Sequence, residues 1–472
     1  MQPDVRTEDL RGRSAAALND PFLRGAVRFT VEKLRGSKAR STEAFGNWEA
    51  WRERGREIRA HTLANLDFYL GQFSERATAA GAHVHFAKTA AEARSQLLGI
   101  VRKRAARRVV KSKSMLTEEL AVNHALERAG VEVVETDLGE WIVQLAQETP
   151  SHLILPAIHK PRAKIQALFE AQAKSALGAD TATLAGFARQ RLRREFERAD
   201  LGISGCNFAV AETGSVVLFT NEGNGRMVTT LPRTHVVVMG MERIVPTLGD
   251  LEVMANLLPR SATGQKLTTY MNVVTGPRRD AEIDGPSELH VIVVDNGRSG
   301  ILGDSEFRDV LGCIRCGACL NVCPVYRHVG GHAYGSVYSG PIGAVLSPLL
   351  DPTGPQAELA NASTLCGACF EACPVKIPLH DRLVQLRRRN VEAGRNGAVE
   401  AWSFKAYGRL FSSARWFSWL GRIGRGLQRA LGRNRIERWG RRLPALAAWS
   451  NYRALPKPPA AAFRDSFEGR SQ

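Results

Sequence analysis

Seven of the eight cysteines of this 472-residue chain lie in two short runs. The first run has the spacing C-x2-C-x2-C-x3-C-P, and the second repeats it without the first cysteine. Three thiolates at this spacing can surround one cubane iron–sulfur cluster, and in two-cluster ferredoxin folds the fourth ligates the other cluster. The spacing therefore predicts two 4Fe–4S clusters whose ligands cross between the runs.

Each predicted cluster combines cysteines of both runs. The first is assigned to Cys313, Cys316, Cys319 and Cys373, and the second to Cys323, Cys366 and Cys369. The second cluster is one ligand short, because Ser363 occupies the position three residues before Cys366 where the motif has a cysteine. We therefore expect one of two outcomes. The cluster is a site-differentiated 4Fe–4S cluster, whose fourth iron binds water, Ser363, a partner or a substrate, or it converts to a 3Fe–4S cluster.

Structural zinc and disulfides are the alternative uses of these cysteines. Zinc prefers four ligands in two CxxC pairs, and seven thiolates with a proline after each last cysteine do not divide into two such sites. CxxC spacing in a reducing compartment favours a metal or redox motif over disulfides. Cys206, the remaining cysteine, is interpreted as a small buried residue beside a strand.

Length and composition indicate a protein of two or three domains. No apolar run approaches the roughly 20 residues that cross a bilayer, and the first residues have no apolar segment typical of a signal peptide. With oxygen-sensitive clusters, these features place the protein in the cytoplasm, with peripheral attachment at the inner face of the membrane left open.

The segment between the N-terminal region and the cysteines alternates short strands with helices. This pattern predicts an α/β domain with a parallel sheet and a β-hairpin excursion. The predicted domains are a helical region over 1–80, the α/β domain over 81–302, a ferredoxin-type domain over 303–384 and a basic helical region over 385–472. The predicted strands are 83–87, 108–111, 131–135, 153–156, 207–211, 215–220, 235–239 and 289–295. Residues 330–354 are predicted to be a long loop.

Several polar residues follow predicted strands, where α/β sheets normally bind ligands. Lys111 and Lys113 could neutralise a carboxylate or phosphate there, although a helix N-cap explains the adjacent serines equally well. A turn with Glu212 and Gly214 is a second candidate. The glycine-bearing loop after this turn contributes three more candidate binding residues, Asn221, Gly223 and Gly225. Conformational demands of tight turns explain these glycines equally well.

The C-terminal region is strongly basic, with 15 Lys/Arg against 3 Asp/Glu over 401–472. It contains five tryptophans, and residues 404–431 place apolar side chains on one helical face. This pattern is typical of a helix that lies on an anionic membrane and equally of one that packs on a partner or on the protein's own core. Nucleic acid is disfavoured as a partner because no nucleic-acid-binding motif accompanies the charge. The tryptophans are Trp402, Trp416, Trp419, Trp439 and Trp449.

Longer sequence strings carry a family resemblance. Residues 111–115, 136–140, 155–159 and 212–225 resemble the lactate-utilisation (LUD) domain, and with the two cysteine runs and the basic tail the chain is similar to LUD-domain iron–sulfur proteins from end to end. The resemblance implies a LUD domain with a doubly wound α/β sheet, similar to the sugar-phosphate isomerase and CoA transferase fold. It also implies a role in L-lactate oxidation, beside two partners, lactate utilisation proteins A and C.

These observations favour an iron–sulfur electron-transfer subunit of a complex that oxidises L-lactate to pyruvate. Such a subunit is not catalytic alone and passes electrons to a partner or a quinone-linked acceptor. One alternative is a redox-sensing regulatory protein. The other is a LUD-domain acyl-transfer enzyme with structural clusters, in which Glu212 would be the candidate nucleophile.

Overall fold

The computed structural model describes residues 9–395 and 397–443, together with 447, 451, 453, 454, 456 and 459. Trp449 lies outside the described residues. The chain divides after Arg388 into a large unit and a C-terminal unit, each described here by itself.

Helices occupy the described part of the N-terminal region. The helical path is interrupted at Asn65, whose φ is −124°. Buried apolar residues such as Val27 and Phe73 join these helices to the core of the large unit. The helices are α1 (Leu10–Leu18), α2 (Pro21–Glu43), α3 (Trp48–Ala64) and α4 (Leu66–Ala79).

Within the described residues, ten strands follow and form two sheets. The first has six strands, all parallel, in the order β1-β10-β7-β4-β2-β3, and the second has four in the order β8-β5-β6-β9. The predicted β-hairpin is β5–β6 of the second sheet. The strands are β1 (His83–Ala87), β2 (Arg108–Lys111), β3 (Glu132–Glu135), β4 (Leu201–Ser204), β5 (Phe208–Val210), β6 (Ser215–Thr220), β7 (Thr234–Gly240), β8 (Ile244–Val245), β9 (Tyr270–Val274) and β10 (Glu288–Val294).

Helices cover the parallel sheet, whose inner strands are therefore buried on both faces. One apolar core contains Leu97 and Leu126 from helices and Val109 from the sheet. A second is built around Trp141 and Phe169. The helices are α5 (Ala90–Lys103), α6 (Met115–Glu119), α7 (Val122–Arg128), α8 (Leu138–Leu145), α9 (Arg162–Ala173), α10 (Thr181–Glu197), α11 (Asn224–Thr230), α12 (Leu248–Ala262) and α13 (Arg298–Gly303).

The strand predicted over 153–156 is wrong. These residues form bends and turns, and His152 Nδ1 accepts hydrogen bonds from the N–H groups of Ile154 and Leu155. Because a side chain uses these N–H groups, they are not available to a strand ladder. The strand β4 was not predicted, since it is short and contains Gly202.

The cysteine-containing segment consists of short helices and turns. The loop predicted over 330–354 is wrong in part, because Gly340–Leu350 form a buried apolar helix that begins with a proline in its first turn. This segment shares one continuous core with the N-terminal helices and the second sheet. Its helices are α14 (Ala318–Val322), α15 (Pro324–Val329), α16 (Gly340–Leu350), α17 (Ala368–Ala372) and α18 (Leu379–Glu392). In the described part of the large unit, four short 3-10 turns lie at Met241–Arg243, Arg308–Gly312, His332–Tyr334 and Pro355–Asn361.

The C-terminal unit contains α19 (Ala398–Phe411), α20 (Ala414–Leu431) and α21 (Arg433–Arg442). In α20 the apolar residues Trp416, Trp419, Ile423 and Leu427 lie three or four positions apart and share one face, which is exposed. Within the described ranges, no helix is long and apolar enough to span a membrane.

Candidate functional site

The two cysteine runs fold in the same way. In each, a residue with positive φ precedes a cysteine (Arg315, 59°; Leu365, 54°), and a left-handed glycine follows it (Gly317, 73°; Gly367, 80°). A one-turn helix then carries the next cysteine and ends at a Cys-Pro pair. Glycine tolerates positive φ without steric cost, so the Gly-Ala after each of these cysteines permits the turn that presents the thiols.

The thiols influence one another in two sets. Burial, reinforced by Cys373 and Cys313, raises the pKa of Cys316 to about 12. Burial also raises the pKa of Cys319, again reinforced by Cys313, Cys316 and Cys373. After burial, the largest thiol influence on Cys369 comes from Cys323, followed by Cys366. The assignment of cluster ligands to these two sets stays a prediction.

The first set opens onto one cavity. Besides Cys313, Cys316, Cys319 and Cys373, apolar side chains line its wall: Ile314, Ile342, Val375, Ile377 and Leu379. Backbone N–H groups point at the sulfurs, from Arg315 to Cys313 Sγ and from Ile377 to Cys373 Sγ, both at 3.4 Å. Four convergent thiols, N–H donors to sulfur and an apolar wall fit a 4Fe–4S cluster. Within the described ranges, no group of three or more His, Cys, Asp or Glu side chains is arranged to hold a single metal ion.

The second set is more exposed. Cys323 and Cys369 are buried, whereas Cys366 is exposed to solvent, and the N–H of Ala368 lowers its pKa. The Ser363 hydroxyl accepts a hydrogen bond from the Leu365 N–H at 3.1 Å. Cys206 is free, and burial raises its pKa to about 12, which agrees with a structural role.

Five basic side chains, which we call the cation collar, surround the first set. Lys38 donates to the carbonyl of Ala372, and Arg52 donates to the carbonyl of Cys373 at 2.9 Å. The other three lie on the side of Cys313. Sequence reasoning missed the collar, because its members are distant in sequence from the cysteines and follow no motif. The collar is Lys38, Arg52, Arg59, Arg243 and Arg315.

On the Cys313 side, the collar meets the carboxyl edge of the parallel sheet. Arg243 Nη1 donates to the Cys313 carbonyl at 3.3 Å. Arg315 stacks over the Tyr338 ring at 4.8 Å and lies 3.6 Å from Glu242 Oε1. Glu242 follows β7 and also pairs with Arg298, which follows β10. Buried ion pairs therefore join the sheet edge to the cysteine segment.

Lys111 and Lys113 both lie at this sheet edge but differ in their contacts. Lys111 Nζ is saturated by Glu135 (2.6 Å), Glu118 (3.1 Å) and the Thr117 hydroxyl (3.0 Å). Lys113 Nζ has no hydrogen-bond partner among the described residues, and Glu140 Oε1 lies 3.9 Å away. Lys113 is thus the lysine with hydrogen-bonding capacity to spare.

The remaining predicted pocket residues belong to the second sheet and its loops. Most of them are engaged in hydrogen bonds or close packing within the protein. Glu212 Oε1 accepts a hydrogen bond from the Leu248 N–H at 2.6 Å. A Cβ on Gly214 would lie 2.2 Å from the Ala77 backbone nitrogen, so this glycine permits close packing on α4. Asn221 bonds the Gln265 side chain.

Gly223 and Gly225 serve the turn that begins α11. Gly223 has a φ of 74°, and a Cβ on Gly225 would lie 2.5 Å from the Thr220 side chain. Glu222, just before Gly223, is the member of this loop that approaches the sheet edge, because its Oε2 accepts a hydrogen bond from the Leu138 N–H at 3.3 Å. Burial raises the pKa of Glu222, and Lys113 opposes that rise. The loop therefore borders the Lys113 region through Glu222 rather than through its glycines.

Comparison with known proteins identifies the family. Residues 70–294 match the LUD domain model, and residues 309–377 match the 4Fe-4S dicluster domain model. Lactate utilization protein B of Bacillus subtilis is 48% identical over 100% of this chain and 98% of its own length. The chain belongs to the lactate utilization protein B family. The proteins of that name from Macrococcus caseolyticus and Shouchella clausii are 49% and 50% identical, over 100% and 98% of this chain and 99% and 96% of theirs.

Proposed function

We propose that the protein is the iron–sulfur electron-transfer subunit of a system that oxidises L-lactate to pyruvate. The observation that carries this proposal is the interleaving of seven cysteines into two sets, in a chain that is about half identical, over its full length, to proteins named for lactate utilization. When bound, a pair of 4Fe–4S clusters would take up and release single electrons, so two of them match the two electrons of lactate oxidation.

The roles of the residues follow from their positions. Cys313, Cys316, Cys319 and Cys373 would hold the first cluster, and Cys323, Cys366 and Cys369 the second. The apolar wall of the first cavity excludes water from the buried thiols. Because Cys366 is exposed, a partner can exchange electrons with the large unit at the second set.

The partners proposed are lactate utilisation proteins A and C, together with a quinone-linked acceptor at the membrane. The C-terminal unit supports the membrane side of this proposal. α20 exposes Trp416 (51%) and Trp419 (53%) on its apolar face and has four arginines and no acidic residue. A basic amphipathic helix with interfacial aromatics binds anionic lipid surfaces. We place the protein in the cytoplasm, at the inner face of the membrane.

Glu212 offers little support for the acyl-transfer alternative. A carboxylate nucleophile must be free to reach its substrate, whereas one oxygen of Glu212 is held by the Leu248 N–H. This contact instead helps to fix the start of α12.

The test is iron analysis and redox titration of anaerobically purified protein. We expect about seven to eight iron atoms per chain, as for two clusters, and signals in electron paramagnetic resonance that appear and disappear reversibly. Cys316→Ser should remove about half of the iron, whereas the matched control Cys206→Ser should keep all of it. Stoichiometric zinc with little iron would refute the proposal. So would clusters that cannot be reduced and reoxidised.

A further inference from the structure

The parallel sheet has a switch point between β2 and β4. From β2 the chain continues outward to the edge strand β3, whereas from β4 it continues in the opposite direction to β7. Doubly wound sheets bind ligands in the crevice outside the carboxyl ends of the strands at such a point. Here that position is occupied by Ser112, Lys113 and Ser114 after β2 and by Gly205 after β4.

Three buried polar atoms of the segments that follow β2 and β3 have no hydrogen-bond partner among the described residues. Ser112 Oγ, Lys113 Nζ and Glu140 Oε1 are all buried and make no hydrogen bond to another described residue. The 3.9 Å between Lys113 Nζ and Glu140 Oε1 exceeds hydrogen-bond length. Since nearly all buried polar groups are hydrogen-bonded, three such atoms from adjacent segments indicate a missing partner.

The charges restrict what that partner can be. Burial raises the pKa of Glu140 to about 8 in spite of Lys113, so at neutral pH this carboxyl mostly keeps its proton and can donate a hydrogen bond. The site then offers an ammonium group, a carboxyl proton and a hydroxyl, which suits an anion. The nearby carboxylates of Glu118, Glu135 and Glu222 disfavour a dianion such as phosphate.

We propose that Ser112, Lys113 and Glu140 form a binding site for the carboxylate of a small 2-hydroxy or 2-oxo acid. The monocarboxylate class follows from the charges, whereas the choice of 2-hydroxy and 2-oxo acids rests on the proposed function. Lys113 binds the carboxylate, and the Glu140 carboxyl donates to a carboxylate oxygen or to the neighbouring 2-oxygen.

The site is connected to the first cysteine set through one side chain. Lys113 acts electrostatically on His152, whose Nε2 lies 3.2 Å from Asn321 Oδ1. Asn321 belongs to α14, the helix that carries Cys319. A Cβ on Gly317, next to Cys316, would lie 3.7 Å from the His152 ring. His152 is therefore the side chain that links the Lys113 region to the segment carrying the first set.

The test is isothermal titration calorimetry of the anaerobic, iron-loaded full chain with L-lactate, with pyruvate, with the methyl ester of lactate and with inorganic phosphate. We expect the two acids to bind and the ester, which has no carboxylate, not to bind. Lys113→Met should weaken binding about ten- to a hundredfold, the loss expected for one charge-assisted hydrogen bond. Glu140→Gln should bind nearly as well, because the amide also donates. The matched control Lys164→Met changes an exposed lysine in the same way and should have no effect.

Three results would overturn the proposal: no binding of either acid, equal binding to Lys113→Met, or phosphate binding as tightly as the acids. If Lys113→Met loses iron or fails to fold, Ser112→Val tests the same site by filling it, and unchanged affinity there also counts against the proposal. Absence of binding in protein with reversible clusters would refute this site and leave the proposed function standing. Binding of the acids by protein whose clusters cannot be reduced would refute the proposed function and leave this site standing.

Discussion

Arg298 is the centre of the buried ion pairs at the sheet edge, and its removal should destabilise the large unit strongly. Its Nε bonds Glu242 Oε2 at 2.9 Å, and its two terminal nitrogens bond Glu119 at 2.8 and 2.9 Å. The side chain is 1% exposed. Removing one partner of a buried pair typically costs about 3–5 kcal/mol, because the other charge is left uncompensated. Arg298→Met leaves Glu119 without an ion-pair partner among the described residues, whereas Glu242 keeps Arg315 at 3.6 Å and Arg243 at 3.8 Å. We therefore expect a loss within this range.

The measurement is the free energy of unfolding from urea titration at pH 7. The control is Arg193→Met, which removes an exposed i,i+4 pair with Glu197 and should cost less than about 0.5 kcal/mol. A loss of about 1 kcal/mol or less for Arg298→Met would refute the reasoning, since it would show that water or other cations compensate both carboxylates.

The pH dependence provides a second check on Arg298. Burial alone would raise the pKa of Glu242, but Arg298, Arg243 and Arg315 outweigh it and lower the pKa to about 2. A carboxyl with a lowered pKa contributes stability that is fully present above its ordinary value of 4.5 and is lost as the pH falls toward 2. In Arg298→Met the pKa should rise and the carboxyls should become protonated more easily. The difference in stability between wild type and variant should therefore shrink from pH 7 to pH 4, and a constant difference would contradict this account.

Three further predictions concern the clusters and the C-terminal unit. Arg315→Gln should lower the reduction potential of the first cluster but not the second, because a buried positive charge favours the more negative reduced state; the buried Arg260→Gln should change neither in a redox titration. Ser363→Cys should slow the loss of iron on mild oxidation by supplying the fourth thiolate, and decay at the wild-type rate would indicate another protein ligand. Trp416→Ala with Trp419→Ala should abolish co-sedimentation with vesicles containing anionic lipid while leaving the iron content unchanged; retained binding would refute membrane docking.

The sequence predicted best those features that depend on local spacing. The cysteine motif specifies its own turns, because the positive-φ glycines and one-turn helices lie inside it. The parallel sheet was also predicted, since its strands form short apolar runs separated by helices. The cation collar was not, because Arg52 and Arg243 reach the cysteines only after distant segments of the chain have packed together.

Two errors have a common physical origin. A short apolar run does not by itself distinguish a strand from a buried turn or helix. Residues 153–156 form turns because His152 takes their N–H groups, and residues 340–350 form a helix although the surrounding segment is rich in glycine and proline. The contact of His152 with Asn321 had no sequence signal.

The interleaving of the two thiol sets has a consequence for how the protein matures. The first set takes Cys373 from the second run, and the second set takes Cys323 from the first run. The second set is therefore incomplete until the ribosome has made residue 369, and the first set until it has made residue 373. Lys38 and Arg52, although made early, bind carbonyl groups at 372 and 373 and must wait for them. Iron loading thus belongs after synthesis of nearly the whole large unit, and a nascent chain that stops between the two runs would have neither site.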